Sequence, residues 1–225
     1  MPGELKQARA KLFARLRREF HVDRVVDAME KVPRELFVPE ASRHLSYEDI
    51  ALPIEMNQTI SQPSIVALMT QALELKENDR VLELGTGNGY QAAVLSLLAR
   101  EVYSVERVAP LAKNAIILLD SLTYSNVWVR QAGNMLGCPE EAPFDGIMVT
   151  AASPRIPSVL LKQMAEGGRL VIPVGSLHEQ SLLKVVKTNE GFSIKNLGSC
   201  RFVPLLGRGA WERPSLTLGA TRDTF

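Results

Sequence analysis

Apolar residues recur along this chain first with a helical period and then in short blocks. Leu5, Ala8, Leu12, Leu16 and Phe20 fall three and four apart, the spacing of one helix face. Asp23 stands where an N-cap would open a second helix running to Met29, which Pro33 ends. Residues 33–40 carry two prolines and lead onward, so residues 1–50 read as a helical extension ahead of a sheet. Residues 51–63 have no convincing period, and Ile65 to Leu75 is a long apolar helix. From there compact apolar blocks alternate with helical stretches. Val81–Leu84, Val102–Val105, Asn126–Arg130, Asp145–Thr150 and Arg169–Val174 read as strands. Between them Gln91–Leu98, Pro110–Leu122 and Ile156–Met164 read as helices, the last closed by Gly167 and Gly168. Leu182–Lys187 alternates as a sixth strand, and Ile194–Val203 holds a seventh. Strands separated by helices, then strands with none between, predict an α/β fold. Its seven-stranded sheet is mainly parallel, with an antiparallel edge. Residues 51–212 form its main part and the polar tail 213–225 is expected to be loose, within one structural domain overall.

Composition narrows the classes without naming a function. Hydrophobic residues make up 46% of the 225, enough for a sizeable core. The net charge of +1 gives no global pull toward nucleic acid or a membrane surface. Lys6, Lys11, Arg15, Arg17 and Arg18 sit mostly between the apolar positions of the first helix, where a solvated face is favoured over an RNA-binding one. No apolar run approaches a membrane span, and the first residues carry charge where a signal peptide would need an apolar centre. Cys138 and Cys200 make no metal-ligand pattern and are expected to be reduced thiols in a cytoplasmic protein.

The candidate chemistry begins at Val81-Leu-Glu-Leu-Gly-Thr-Gly-Asn-Gly-Tyr-Gln91. A buried strand runs into glycines at 85, 87 and 89 and then into a helix, the opening unit of a nucleotide-type α/β fold. Glycine permits the sharp turn and close ligand approach. Glu106 ends the next strand, 19 residues beyond Gly87, where an acidic residue bonds ribose hydroxyls. The Gly-x-Gly-x-Gly spacing with Glu106 favours S-adenosylmethionine over a dinucleotide. No Gly-Lys-Ser/Thr element, nucleophile elbow or zinc spacing is present, so a P-loop, a serine hydrolase and a metal site have no support. The loop before the apolar helix packs hydroxyl and amide groups between Pro53 and Pro63. Ser61 suits an N-cap with Pro63 in the first turn, and the pattern favours that over a binding loop.

Several segments together resemble the protein-L-isoaspartate (D-aspartate) O-methyltransferases, a family of protein repair enzymes. The resemblance runs from about Arg34 to Trp211. Its most particular elements are Gln58-Thr-Ile-Ser-Gln-Pro63 and Arg201-Phe-Val-Pro-Leu205. Arg43–Asp49, Ala51–Ile54, Val81–Gln91, Val102–Arg107, Pro139–Asp145 and Gly167–Gly175 also carry it. The resemblance implies a Rossmann-like methyltransferase that uses S-adenosylmethionine. Its acceptor would be the free carboxylate of L-isoaspartyl, and D-aspartyl, residues in damaged proteins. It implies that Ser61 is the active-site serine. Thr59, Ile60, Ser61, Gly85, Gly87, Asn88, Gly89, Glu106, Gly133 and Asn134 would meet the cofactor. Ser61, Phe202, Val203 and Leu205 would meet the substrate, whose peptide main chain is expected to add in extended form. The protein is expected to be a cytoplasmic monomer.

One departure stands out. Counted back from Pro139, Ala132, Gly133 and Asn134 occupy the family's Gly-Asp-Gly, so the aspartate near the adenine falls on Gly133. Losing one hydrogen bond to a charged acceptor costs roughly 1.5–3 kcal/mol, about tenfold to a hundredfold in affinity. Weaker cofactor binding or an adjusted loop is the expectation. It keeps open a binding module without turnover, while the basic first helix is the only local support for a methyltransferase of this fold acting on RNA or a small molecule.

Overall fold

The computed structural model describes residues 2–21, 23–133 and 135–211. The expected loose tail lies outside these residues, as does Asn134. Two helices, α1 (Gly3–Phe20) and α2 (Asp23–Lys31), open the chain. Leu5, Leu12, Phe13 and Leu16 are buried on α1, close to the expected face, and Ala8 and Phe20 pack beside them. His21 ends α1 in the left-handed region. Three of the six basic side chains of α1 serve neighbours. Arg17 pairs with Asp27 at 2.6 Å and Glu30 at 2.7 Å, Arg15 with Asp49 at 2.8 Å, and Arg9 donates to the Glu30 carbonyl.

Residues 51–63 form a small hairpin, β1 (Leu52–Pro53) and β2 (Thr59–Ile60), with Leu52 opposite Ile60. α3 (Pro63–Ala72) follows, three residues shorter at its end than the apolar pattern implies, because Glu74 turns left-handed. The main elements then come in order. They are β3 (Arg80–Leu84), α4 (Tyr90–Ser96), β4 (Glu101–Glu106), α5 (Ala109–Ser121), β5 (Val127–Gln131), β6 (Phe144–Val149), α6 (Ser158–Leu161), β7 (Met164–Gly175), β8 (Gln180–Thr188) and β9 (Gly191–Cys200). The sheet order is β5-β4-β3-β6-β7-β8-β9. The first five of these pair in parallel, and β8 and β9 are antiparallel. The predicted fold class holds.

The expected helix 156–164 shrinks to the four residues of α6. From Met164 the chain pairs with Phe144 instead, and this tertiary pairing outweighs the local helical period. Gly167 and Gly168 therefore do not close a helix but lie inside β7 at a register shift. A side chain at Gly168 would begin 2.7 Å from the Ala165 carbonyl, so only glycine lets the two backbones meet.

Alternate residues of the central strands face two apolar layers, as a strand period of two requires. Val81, Val102, Met148 and Val171 join the helical side, whose cluster includes the buried residues of α1, α2 and α3. Leu82, Leu84, Ile147, Val149 and Leu170 join the other, with Leu136, Leu160 and Leu205. The chain runs outward from β3 through β4 to β5, then returns to place β6 against the other side of β3. That reversal opens a crevice at the carboxyl ends of β3, β4 and β6, where open α/β sheets bind ligands.

Candidate active site

The crevice holds a cavity of about 320 Å³, in the size range of small-molecule pockets. Its floor is the glycine turn. Gly85, Gly87 and Gly89 have φ of 99°, 54° and 91°, the left-handed region that favours glycine. A side chain at Gly85 would begin 2.3 Å from Thr150 Oγ1, which itself donates to the carbonyls of Leu84 (2.9 Å) and Gly85 (2.7 Å). Gly85 and Gly87 line the cavity; Gly89 does not. Gly89 precedes α4, and a side chain there would begin 3.2 Å from Leu119 of α5. Asn88 lines the cavity with its side chain committed elsewhere. Its Nδ2 donates to the Phe37 carbonyl at 2.6 Å, and its Oδ1 accepts from the Tyr90 N–H at 3.2 Å. The amide thus ties the glycine turn to the N-terminal extension.

Glu106 ends β4 beside the turn and lines the cavity. Its two oxygens accept from the N–H groups of Gly87 and Val108, each at 2.8 Å. These bonds fix the carboxylate in place and leave lone pairs for a vicinal diol. Two residue pairs inward, Glu83 on β3 is fully buried and accepts from Ser104 Oγ, which bonds Thr86 Oγ1 at 2.6 Å. Burial pushes the Glu83 carboxyl up to about 8, the charge of Glu106 adding to the effect.

At the other end lies the hairpin strand with Thr59, Ile60 and Ser61, all lining the cavity. Ser61 is not the N-cap of α3. That position belongs to Gln62, and no side chain of its own caps the helix. Asp49 does the capping from a distance, accepting from the Ser64 N–H at 2.8 Å. Ser61 therefore sits one residue outside the helix with its hydroxyl free of partners among the described residues. Its carbonyl accepts from Arg34 Nη2 at 2.7 Å.

Two further segments complete the walls. Gly133 lines the cavity beside Leu136, and a side chain built at Gly133 would meet nothing within 4 Å. The 136–138 turn is held by buried Gln163, which accepts from the Cys138 N–H at 2.8 Å and donates to the Leu136 carbonyl at 2.9 Å. Phe202, Val203 and Leu205 also line the cavity. Their main chain is less free than expected for extended peptide addition. The Ala152 N–H donates to Val203 O and the Leu205 N–H to Ala152 O, each at 2.7 Å. Gln180 bonds both main-chain groups of Phe202. Pro204 has no N–H to offer, so this segment presents isolated groups rather than a ladder.

A glycine cradle, a fixed carboxylate at the end of β4 and a free hydroxyl facing them are brought into one cavity. The sequence profile of the protein-L-isoaspartate(D-aspartate) O-methyltransferases matches residues 7–210. This chain belongs to that family. It is 54% identical over 195 residues to protein-L-isoaspartate O-methyltransferase 1 of Syntrophobacter fumaroxidans, covering 87% of this chain and 91% of the relative. A relative of the same name from Syntrophus aciditrophicus is 52% identical over 192 residues, covering 84% and 88%. Among solved structures, a protein-L-isoaspartate O-methyltransferase superposes with a TM-score of 0.80 at 31% identity, over 90% of this chain and 67% of that one. A Plasmodium falciparum member, solved in complex with S-adenosyl-L-homocysteine, gives 0.74 at 25% identity over 86% and 95%. The methyltransferase fold and S-adenosylmethionine as cofactor follow from this membership, and no helix among the described residues is long and apolar enough to cross a membrane.

Several residues of the site escape a reading of sequence. Arg34, Glu83, Gln163 and Gln180 are buried polar groups whose partners lie on distant segments. Only a lone charge or amide within an otherwise apolar stretch signals them, and that signal has no spacing. Cys138 and Cys200 are free thiols. Burial pushes both up to about 11, so neither supplies a thiolate at neutral pH.

Proposed function

We propose that this chain transfers the methyl group of S-adenosylmethionine to the free α-carboxylate of L-isoaspartyl residues, and of D-aspartyl residues, in damaged proteins. The neighbouring main-chain nitrogen then attacks the ester carbonyl, methanol leaves, and the resulting succinimide begins repair. The observation that carries this reading is the free Ser61 hydroxyl in the cavity that the glycine turn and Glu106 also line. The residues fit the cofactor: Gly85 and Gly87 leave left-handed backbone bare along the cavity, a Cβ at Gly85 would collide with Thr150, and Glu106 offers a fixed acceptor pair for ribose hydroxyls. When bound, the cofactor supplies an electrophilic methyl on a sulfonium.

The protein's own task is positioning. A carboxylate with a reference pKa near 4 is already ionised at neutral pH, so no general base is required. Glu106 is the only carboxylate lining the cavity among the described residues, and both its oxygens hold backbone N–H groups. Ser61 Oγ donates to the acceptor carboxylate and aims one oxygen along the line of transfer. The apolar wall of Ile60, Val66, Met69 and Leu205 keeps water from competing. Action in the cytoplasm belongs to the same reading and is supported by the two unpaired thiols, and action as a monomer is part of the proposal.

The test offers the protein labelled S-adenosylmethionine and two peptides differing only in aspartyl or isoaspartyl linkage. Methylation of the isoaspartyl peptide alone is expected; equal or absent labelling of both overturns the reading. Binding of S-adenosylhomocysteine without turnover would leave a binding module instead. Ser61→Ala is expected to lower turnover on the order of 10²-fold, the cost of a misaligned acceptor, with cofactor affinity nearly unchanged. A loss confined to cofactor binding would make Ser61 structural.

A further inference from the structure

Arg34 is fully buried, yet no carboxylate pairs with it among the described residues. The acids nearby are engaged elsewhere. Asp49 holds Arg15 at 2.8 Å and the Ser64 N–H, and Glu35 accepts from the Tyr47 hydroxyl at 2.5 Å. Arg34 bonds two carbonyls instead, Ser46 through Nε at 2.9 Å and Ser61 through Nη2 at 2.7 Å. Its guanidinium carbon lies 4.7 Å from the centroid of the Tyr90 ring, and Nη1 is buried with no partner. Tyr90 and Ser61 both line the cavity; Arg34 does not. A charge that cannot be given up thus stands one layer behind the acceptor end of the site.

We infer that Arg34 is the positioning residue that makes the site select an anionic acceptor. It holds Ser61 by its carbonyl and attracts the substrate carboxylate through the wall made by Ser61 and Tyr90, without touching it. The inference rests on the methyl-transfer reading above. A buried cation with no acid in direct contact is costly, and an anion bound nearby relieves part of that cost. The low-dielectric wall lets the attraction reach across one residue. Separation also suits the chemistry. Methyl transfer cancels the carboxylate charge, so an arginine in direct contact would stabilise the ground state more than the transition state. A cation one layer back draws the substrate in and leaves the reacting oxygen to Ser61.

The test measures binding to the protein saturated with S-adenosylhomocysteine. Two isoaspartyl peptides serve as probes, one with the free α-carboxylate and one with the α-carboxamide. The wild type is expected to prefer the carboxylate. In Arg34→Met that preference falls at least tenfold, while affinity for S-adenosylhomocysteine stays within about threefold. A folded Arg34→Met that keeps the wild-type ratio overturns the inference. Arg34→Lys removes the two-pronged hold on Ser46 and Ser61 but keeps a charge. At pH 6 it retains the preference within about threefold, and a loss there shows that the hold and not the charge selects the acceptor. That second variant decides the matter if Arg34→Met fails to fold. A wild type without preference overturns the methyl-transfer reading itself.

Discussion

Buried Glu83 is expected to contribute a loss of stability as pH rises through the physiological range. It is fully buried on β3, accepts one hydrogen bond from Ser104 Oγ, and leaves Oε1 without a partner. Burial lifts its pKa from the ordinary 4.5 to about 8. Between those values the folded chain holds one more proton than the unfolded chain. Stability therefore falls with pH, by about 1.4 kcal/mol per unit where both terms are well separated. The penalty is absent below 4.5 and complete above about 8. From pH 5 to pH 7 this group alone is expected to remove roughly 2–3 kcal/mol, or on the order of 5–10 °C in Tm for a chain of this size. Glu83→Gln is neutral in both states and retains an oxygen for Ser104. Urea unfolding of both proteins at pH 5, 6 and 7 cancels every other titration. The difference is expected to move in the variant's favour by about 1.4 kcal/mol per pH unit. Parallel curves, within ~0.3 kcal/mol per unit, would mean that Glu83 is ionised in the fold and that a buried partner has been overlooked.

Three further substitutions probe the cofactor end. Gly133→Asp places a carboxylate in open space at the family's position and is expected to tighten S-adenosylhomocysteine binding about tenfold to a hundredfold by calorimetry. An unchanged Kd would show that the loop already satisfies the adenine. Gly85→Ala forces a Cβ to within 2.3 Å of Thr150 Oγ1 at a φ of 99°. A loss of about 2 kcal/mol or more is expected in chemical denaturation, and an unaltered midpoint would show that the turn relaxes freely. Asn88→Ala removes the bonds to Phe37 O and the Tyr90 N–H and should cost about 1–2 kcal/mol. If stability holds while S-adenosylhomocysteine binding drops, Asn88 touches the ligand after all.

The elements that could be read from the sequence are those whose signal is local. Val81–Leu84 followed by three alternate glycines announces a strand, a turn and a helix, because φ above zero and apolar continuity are both written in residue type. Glu106 was legible because its distance from the turn is set by one strand–helix unit. What failed depended on partners far along the chain. The period over Ile156–Met164 is helical, but Met164 finds Phe144 and becomes strand. Ser61 has the composition of a cap, yet Asp49 caps that helix from 15 residues upstream. Arg34 gives no sign of its place behind Ser61, since the two are 27 residues apart and meet only through a carbonyl.

The two carbonyls at Phe37 and Ser61 bear on how the chain can be recombined with its relatives. Phe37 O receives Asn88 from the glycine turn, and Ser61 O receives Arg34 from the first segment. These contacts cross the seam between the helical extension and the sheet in opposite directions. A chimera that exchanges residues 1–50 as a block would thus swap half of each bond. Neither parent would then supply both partners of either bond. A crossover moved past Asn88 keeps both pairs within one parent but cuts into α4 and parts Gly87 from Glu106, so the extension and the glycine turn are best exchanged together with the strands that hold them.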